Sequence, residues 1–171
     1  MGIELAAPPA LNLVARRGRP LEAVDANEVL GTVRANLNVA IEEANALVTN
    51  DGLPTVWADR TQLGQLLQNL IANAIKFHGG QSPRIHIAVC DRPDEWVIAV
   101  KDNGIGIKPE HAKKLFQPFS RLVNGTEYPG TGIGLAIVRK GVERMGGRVG
   151  MDSQPGKGSC FWVELPPAEK A

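Results

Sequence analysis

Apolar residues recur at helical spacing in three long segments of the chain. The first begins near Asn27, with Asp25 or Asn27 as its N-terminal cap, and its apolar positions are Val29, Leu30, Val33, Leu37, Ala40, Ile41 and Ala44. The second covers 60–77 and has the strongest periodicity, with a leucine-rich stripe on one face. The third covers 132–145. We therefore predict three long helices, together with a short one at 109–115.

Alternating apolar and polar residues between these segments predict strands. The predicted strands are 46–48, 54–58, 84–90, 95–101, 148–153 and 159–165. Turn sequences rich in Asn, Asp, Gly and Pro lie between successive strands at 50–52, 91–94 and 155–158. Each turn is expected to join the two strands that flank it, and the last two pairs form antiparallel hairpins.

Strand pairs interleaved with long helices predict the fold class. We expect an α+β two-layer α/β sandwich with a mixed, mostly antiparallel sheet and helices on one face, rather than parallel βαβ winding. A glycine-rich loop at 102–107 follows the central hairpin, and the irregular, Pro- and Gly-containing stretch 117–131 is expected to be mobile.

Composition restricts the class of protein. The chain has 171 residues, of which 43% are hydrophobic, and this suits one soluble domain rather than a disordered or disulfide-rich chain. A formal net charge of +1 gives no general attraction to nucleic acid or to an anionic membrane. A charged ligand must therefore be bound by a local group of residues.

Cysteine usage and hydropathy predict a cytoplasmic protein. Cys90 and Cys160 each lie within an apolar run, as expected of packed, reduced thiols. No run reaches the roughly 18 apolar residues of a membrane span, and residues 1–10 lack the order of a secretory signal. The Pro-, Gly- and Arg-rich start, up to Pro20, is typical of a segment cut from a longer polypeptide.

The second predicted helix carries a polar stripe beside its apolar one. Asn69, Asn73 and Lys76 are spaced so that they share one helical face. Asparagine is a poor residue for a helix interior, so this stripe is either a solvated face or a binding site. An amide oxygen suits Mg²⁺, an ammonium suits phosphate, and Phe77 is either core or the flank of a flat ring.

Two glycine-rich segments are candidate parts of a ligand site. Asp102 opens the loop 102–107, and its carboxylate is either part of a plain turn or an acceptor for an exocyclic amine such as that of adenine. The segment 130–135 precedes a predicted helix, so it is either an ordinary turn or a cradle for phosphate at the helix N-terminus. It matches neither the Walker pattern nor the dinucleotide fingerprint.

The order of these motifs resembles that of one known family. The motifs are Asn69-x3-Asn73-x2-Lys76-Phe77, Asp102-x-Gly104-x-Gly106, Phe116-x2-Phe119, Gly130-x-Gly132-x-Gly134 and Gly156-x-Gly158. In this order they resemble the N, G1, F, G2 and third glycine boxes of sensor histidine kinases, which have the GHKL (Bergerat) ATP-binding fold. The resemblance covers about 23–166, and the sequence of 119–132 looks most like that of kinases attached to phytochrome or PAS sensors.

The resemblance implies Mg-ATP as the ligand and gives each motif residue a role. It implies that Asn73 coordinates Mg²⁺, that Asn69 supports it, and that Lys76 contacts phosphate. It implies that Asp102 selects adenine and that Phe77 lies beside the ring. It further implies a lid at 117–131. The remaining implied nucleotide-contacting residues are Gly104, Gly106, Ile107, Phe119, Arg121 at the γ-phosphate, Thr131, Gly132, Gly134 and Leu135.

The same resemblance implies phosphoryl transfer to a partner rather than hydrolysis. Related ATPases of this fold have a Glu that activates water where this chain has Asn69, and an amide has no useful basicity. Acceptor histidines of the family precede an acidic residue, whereas His78, His86 and His111 precede Gly, Ile and Ala. The chain is thus expected to bind ATP without phosphorylating itself.

A division of the chain follows from the resemblance. Residues 1–22 resemble the end of a dimerisation-hairpin helix and its connector, 23–166 the ATP-binding domain, and 167–171 a tail. The expected partners are a His-bearing dimerisation domain and a response regulator, with a monomeric fragment and a homodimeric parent.

Two other functions fit the same fold. One is an anti-sigma-factor type serine kinase, which usually keeps a Glu where Asn69 stands. The other is a catalytically silent module that holds a nucleotide or a partner.

Overall fold

A computed structural model describes residues 20–107 and 134–166 of the chain. In chain order the elements are β1 (Glu22–Asp25), α1 (Ala26–Asn36), α2 (Asn38–Glu43), β2 (Leu47–Asn50), β3 (Thr55–Ala58), α3 (Arg60–Lys76), β4 (Arg84–Arg92), β5 (Glu95–Asp102), α4 (Gly134–Arg144), β6 (Arg148–Gln154) and β7 (Gly158–Leu165). The predicted short helix at 109–115 and the stretch 117–131 lie outside the described residues.

A five-stranded sheet carries the fold, with strand order β2-β4-β5-β7-β6. The pairs β4–β5, β5–β7 and β6–β7 are antiparallel, whereas β2 runs parallel to β4. Both predicted hairpins, β4–β5 and β6–β7, are therefore confirmed. Helices α1, α3 and α4 lie side by side over one face of this sheet. The predicted α+β sandwich with a mixed, mostly antiparallel sheet is confirmed.

The core lies between the helices and the inner face of the sheet. The stripe of α3 is almost wholly buried, with Leu63, Leu67 and Ile71 all at 0% exposure. These side chains belong to the same apolar cluster as Ile98 of β5 and Val163 of β7. Each such side chain contributes roughly 1.5 to 3 kcal/mol to the free energy of folding. Burial of its stripe therefore holds α3 against the sheet.

The predicted first helix is interrupted, which corrects the single helix expected from its periodicity. Leu37 has φ −96° and ψ 7°, outside the helical region, and separates α1 from α2. Asn residues flank it on both sides, and the Asn36 amide donates to Gln68 Oε1 of α3 at 3.3 Å. Apolar residues continue at four-residue spacing across the break, so the periodicity does not reveal it.

The two short strands predicted on either side of the turn 50–52 both form, but they belong to different sheets. Strand β2 pairs with β4, and β3 pairs with β1, a strand that the sequence did not indicate. The turn is held by Asn27, whose amide bonds to both the N–H and the carbonyl of Leu53 at 2.8 and 3.0 Å. These two bonds attach the segment before β3 to the first turn of α1.

The cysteines are both free thiols, but the expected packing holds for only one of them. Cys160 is half-buried on β7, and burial raises the pKa of its thiol. Cys90 is exposed near the end of β4, so its predicted packing was wrong. Cys90 lies on the outer face of the sheet. Side chains of a strand alternate between the two faces, so only every second residue of an apolar run contacts the core.

No helix in the described part of the chain has the length and hydropathy needed to cross a membrane.

Candidate functional site

The C-terminal half of α3 presents the polar stripe predicted from the sequence. Asn69 and Asn73 are half-buried, Lys76 is exposed, and Phe77 caps the helix with its N–H donating to Asn73 O at 3.0 Å. The Lys76 ammonium lies 5.9 Å from the centre of the Phe77 ring. Within the described residues the Asn73 side-chain amide has no hydrogen-bond partner. It is therefore available to a ligand.

The loop 102–107 lies directly against the end of α3. The Ile105 N–H donates to the carbonyl of Phe77 at 3.0 Å. Gly104 is buried there, and a Cβ at this position would overlap the Phe77 carbonyl oxygen. Only glycine allows this approach of two backbone segments. The contact brings Asp102 and the Asn73 stripe to one end of the fold.

The other side of the loop lies against the turn of the β6–β7 hairpin. The Gly156 N–H donates to Ile105 O at 2.7 Å. Gly106 has φ +75°, and a Cβ on it would overlap the carbonyl of Gln154. The turn that carries the third glycine motif therefore packs against the loop 102–107. The spacing of this motif in the sequence did not indicate that contact.

Among the described residues, Asp102 forms hydrogen bonds through one of its two carboxylate oxygens. Oδ1 accepts from the N–H groups of Gly104 at 2.8 Å and Ser159 at 3.2 Å. Among the described residues nothing donates to Oδ2. Burial raises the pKa of Asp102, and the two backbone N–H bonds offset part of that rise. The turn interpretation is confirmed by the bond to Gly104. Within the described residues Oδ2 stays open as an acceptor, so the adenine contact remains a prediction.

Asn103 anchors the loop to the start of β4. Its Oδ1 accepts from Arg84 N at 2.8 Å, and its Nδ2 donates to Ser82 O at 3.2 Å. This side chain therefore fixes the connection between α3 and β4 while Asp102 faces the helices.

Two serines complete the surroundings of Asp102, and sequence reasoning missed both. Ser159 lies opposite Asp102 in the β5–β7 ladder, and Ser153 lies opposite Ser159 in the β6–β7 ladder. The register between β5 and β7 joins segments separated by more than fifty residues, so no local pattern indicates it. The only available signal is the position of Ser159 directly after the third glycine motif.

Several predicted site residues cannot be compared with the fold. Phe119, Arg121, Thr131 and Gly132 lie outside the described residues. Gly134 begins α4, as expected for a helix that follows a glycine motif, and the side chain of Leu135 is not described. Their assigned contacts with nucleotide stay predictions. Ile107 ends the described loop, half-buried, with its N–H bonded to Ser153 Oγ at 2.7 Å.

Two of the three histidines have local protein partners. The Nε2 of His86 lies 3.0 Å from Asp51 Oδ1 and its Nδ1 lies 2.7 Å from Thr49 Oγ1. The Nδ1 of His78 lies 2.9 Å from Gln81 O. His111 lies outside the described residues.

Comparison with known proteins gives the family. Residues 58–169 match the family described as histidine kinase-, DNA gyrase B-, and HSP90-like ATPase. The chain is 46% identical over 145 residues to cyanobacterial phytochrome A of Nostoc sp. strain PCC 7120, covering 85% of this chain and 19% of that protein. The chain thus spans about a fifth of the length of this protein and of the similar phytochrome-like protein Cph1 of Synechocystis sp..

Solved structures agree with this match. The nucleotide-free catalytic domain of histidine kinase ThkA superposes with a TM-score of 0.73 and 28% identity, covering 90% of this chain and all (100%) of that domain. Full-length ShkA in complex with AMPPNP gives a TM-score of 0.72 and 29% identity over 85% of this chain and 31% of that one. The chain therefore belongs to the histidine kinase-, DNA gyrase B- and HSP90-like ATPase family, as an ATP-binding catalytic domain of the sensor histidine kinase type.

Proposed function

We propose that this domain binds Mg-ATP between the end of α3 and the loop 102–107. We further propose that it donates the γ-phosphoryl group to a histidine on a separate dimerisation domain. The observation that carries the adenine assignment is that Asp102 Oδ2 has no donor among the described residues, while Oδ1 is bonded to two backbone N–H groups. An exocyclic amine is a donor that this oxygen can accept.

The donor set on α3 is suited to magnesium held jointly with phosphate. Mg²⁺ takes few protein oxygens and fills its shell with water and phosphate oxygens. The Asn73 amide supplies one such oxygen, Asn69 stands one turn before it, and the Lys76 ammonium is exposed one turn after it. Within the described residues no cluster of three or more His, Cys, Asp or Glu competes as a metal site. These features support Asn73 as the metal ligand.

The side chain at position 69 favours transfer over hydrolysis. Activation of water needs a base near the metal, and the Asn69 amide has no useful basicity. Phosphoryl transfer depends mainly on positioning and charge neutralisation, so a site without that base can still serve an external nucleophile. The absent base also argues against a serine kinase of the anti-sigma-factor type.

The nucleophile is proposed to come from outside this chain. No histidine of the sequence is followed by an acidic residue, and His86 and His78 each have a protein partner. We therefore propose a homodimeric parent kinase with a His-bearing dimerisation domain, in the cytoplasm, that passes the phosphoryl group to a response regulator. The Phe119, Arg121, Thr131, Gly132, Gly134 and Leu135 contacts belong to the same proposal.

Calorimetric titration with a non-hydrolysable ATP analogue tests the binding site. We expect saturable binding that is stronger with Mg²⁺ than without it, and much weaker binding of the matching GTP analogue. Absence of binding, or equal affinity for both nucleotides, would contradict the proposed adenine site.

A second experiment tests phosphoryl transfer. Radiolabelled ATP is added to the chain alone and to the chain mixed with the dimerisation domain of a closely similar phytochrome kinase. Label is expected on that domain only, in an acid-labile and alkali-stable form as for phosphohistidine. The same domain with its acceptor His replaced by Gln is the control. Label found on this chain rather than on the dimerisation domain would contradict transfer to an external histidine.

A further inference from the structure

One polar row crosses the inner face of the sheet at the end that bears Asp102. In the ladders Asp102 lies opposite Ser159, and Ser159 lies opposite Ser153. The neighbouring row consists of Val100, Phe161 and Met151, all in or against the apolar core. Hydroxyl groups placed beside a core must be hydrogen-bonded, so the partners of this row define its role.

The Ser153 hydroxyl has three short contacts. Its Oγ lies 2.7 Å from Ile107 N, 2.9 Å from Gly158 O and 2.8 Å from Ser159 Oγ. The Ile107 amide can only donate and the Gly158 carbonyl can only accept. Ser153 has one hydrogen, which therefore goes to Gly158. The Ser159 hydroxyl must then donate to Ser153, so all three contacts are satisfied in one arrangement only.

This arrangement ties down both ends of the loop 102–107. At its start, Asp102 Oδ1 accepts from Ser159 N, and at its end, the Ile107 N–H donates to Ser153. Between them, Ile105 is bonded to Phe77 on one side and to Gly156 on the other. A loop held in its binding conformation before the ligand arrives loses less conformational freedom on binding.

We infer that Ser153 is a positioning residue for adenine recognition, acting through Ile107 and Ser159 on the loop that carries Asp102. This inference rests on the proposed function, in which Asp102 accepts from adenine. The Ser153 hydroxyl is fully used by protein partners, so its influence on nucleotide affinity is indirect.

The test compares Ser153→Ala with Ser153→Thr, which keeps the hydroxyl, and with Ser82→Ala, which removes an exposed hydroxyl from the α3–β4 connection. Calorimetry with the ATP analogue and Mg²⁺ is expected to show roughly tenfold weaker binding for Ser153→Ala, from the loss of one hydrogen bond at a half-buried donor. Ser82→Ala is expected to match the wild type, and Ser153→Thr to lie close to it.

Two further measurements separate positioning from a general loss of stability. Amide hydrogen exchange is expected to quicken at Ile107 in Ser153→Ala, while the amides of Ile98 and Val163 in the core keep their wild-type rates. Affinity for inorganic triphosphate, which has no base, is expected to stay unchanged. Equal weakening for triphosphate and for the ATP analogue, or faster exchange throughout the core, would overturn the inference.

Failure of this inference can be told apart from failure of the proposed function. A wild-type chain without saturable ATP-analogue binding would contradict both. A wild-type chain that binds, together with a Ser153→Ala variant of equal affinity and unchanged Ile107 exchange, would contradict the role of Ser153 alone. If Ser153→Ala does not fold, Ser153→Cys keeps the side-chain volume with a weaker hydrogen-bonding atom, and the same weakening is expected.

Discussion

Within the described residues, Asp102 hydrogen-bonds the protein through one carboxylate oxygen and leaves the other open. Oδ1 is bonded to two backbone N–H groups, which fix the plane of the carboxylate, and Oδ2 is left as an acceptor in the described residues. Such a group discriminates between bases through the direction of one hydrogen bond, since adenine offers an amine where guanine offers a carbonyl oxygen.

Substitution Asp102→Asn is expected to change the base preference. The Asn oxygen would keep the bonds to Gly104 and Ser159, which turns the amide NH₂ towards the ligand. When adenine is bound, this NH₂ group faces the exocyclic amine, which is also a donor. ATP-analogue affinity should therefore fall by roughly 1 to 3 kcal/mol, whereas binding of GTP should weaken less or improve. Competition titrations with both nucleotides measure this. The control is Asp152→Asn, at an exposed carboxylate on the other face of the sheet; an unchanged ATP to GTP ratio in Asp102→Asn would refute the assignment.

Nucleotide affinity should also depend on pH through Asp102. Burial raises the pKa of this carboxyl in the free domain above its ordinary value of 3.8. The ionised form therefore costs the free domain stability at neutral pH, and that cost decreases below the raised pKa and is gone below the ordinary value of 3.8. In the proposed site the ionised carboxylate accepts from adenine, so affinity should fall as the pH falls through the raised pKa. Titrations from pH 7 down to 4.5 measure it, and in Asp102→Asn this acid-dependent component should be absent.

Asn73 is expected to carry the metal dependence of binding. Its amide is half-buried without a partner in the described part of the chain, and Asn73→Ala removes that oxygen at little cost to the helix, since alanine favours helix. ATP-analogue binding should then become nearly insensitive to Mg²⁺. The matched control is Gln65→Ala, at an exposed amide two turns earlier in α3. A full Mg²⁺ effect retained in Asn73→Ala would exclude Asn73 as the ligand.

At the scale of elements, α3 is the part of the site whose formation is mainly local. Asp59 caps it, with Oδ1 accepting from Thr61 N at 2.9 Å and Gln62 N at 3.2 Å. The periodic leucines then bury one face, which leaves the Asn69 to Lys76 stripe beside the ligand loop. The N-cap, the apolar stripe and the polar face of α3 can all be predicted from the sequence, because each depends on residues within one or two helical turns.

Loss of the α3 cap should destabilise the whole domain. Asp59 is 2% exposed, and Asp59→Ala leaves two N–H groups at the start of the helix without their acceptor. The free energy of unfolding should fall by about 1 to 2 kcal/mol. Urea unfolding followed by circular dichroism measures it, with Asp91→Ala at an exposed position of β4 as the matched control. Equal midpoints for the two variants would argue against the cap.

Some elements depend on contacts that no local pattern reveals. Periodicity runs unbroken from Val33 to Ile41, yet the chain leaves the helix at Leu37, where Asn36 bonds to Gln68 of α3. Likewise a short turn separates β2 from β3 in the sequence, but the two strands belong to different sheets, and Leu53 between them is bonded to Asn27 of α1. Long-range partners outweighed local preference at both places.

At the scale of the whole molecule, the sheet assembles the site from distant segments. The β5–β7 ladder places Ser159 against Asp102, and the β6–β7 turn supports the loop 102–107, which itself lies against the end of α3. A nucleotide in this site would therefore contact elements that separate when the domain unfolds. Binding should thus stabilise the fold as a unit.

Nucleotide is accordingly expected to raise the thermal stability of the domain. A ligand that binds only the folded chain adds about 2.7 kcal/mol to the free energy of unfolding at 100 times its dissociation constant. For a domain of this size the melting temperature should rise by roughly 5 to 10 °C. Scanning calorimetry with Mg²⁺ and the ATP analogue measures the shift. Asp102→Asn at the same ligand concentration should show a smaller one, and an equal shift would mean that stabilisation does not pass through the adenine site.

The order of five short motifs was enough to indicate the family. The fold class, the long capped helix α3 and both hairpins could also be predicted, because periodicity, capping and short turns act over a few residues. Three features are visible only in the folded domain: the partners of β1, β2 and β3, the break at Leu37, and the row of Asp102, Ser159 and Ser153. Strand register and hydrogen bonds between distant segments depend on how whole elements pack, and no local sequence pattern records that choice.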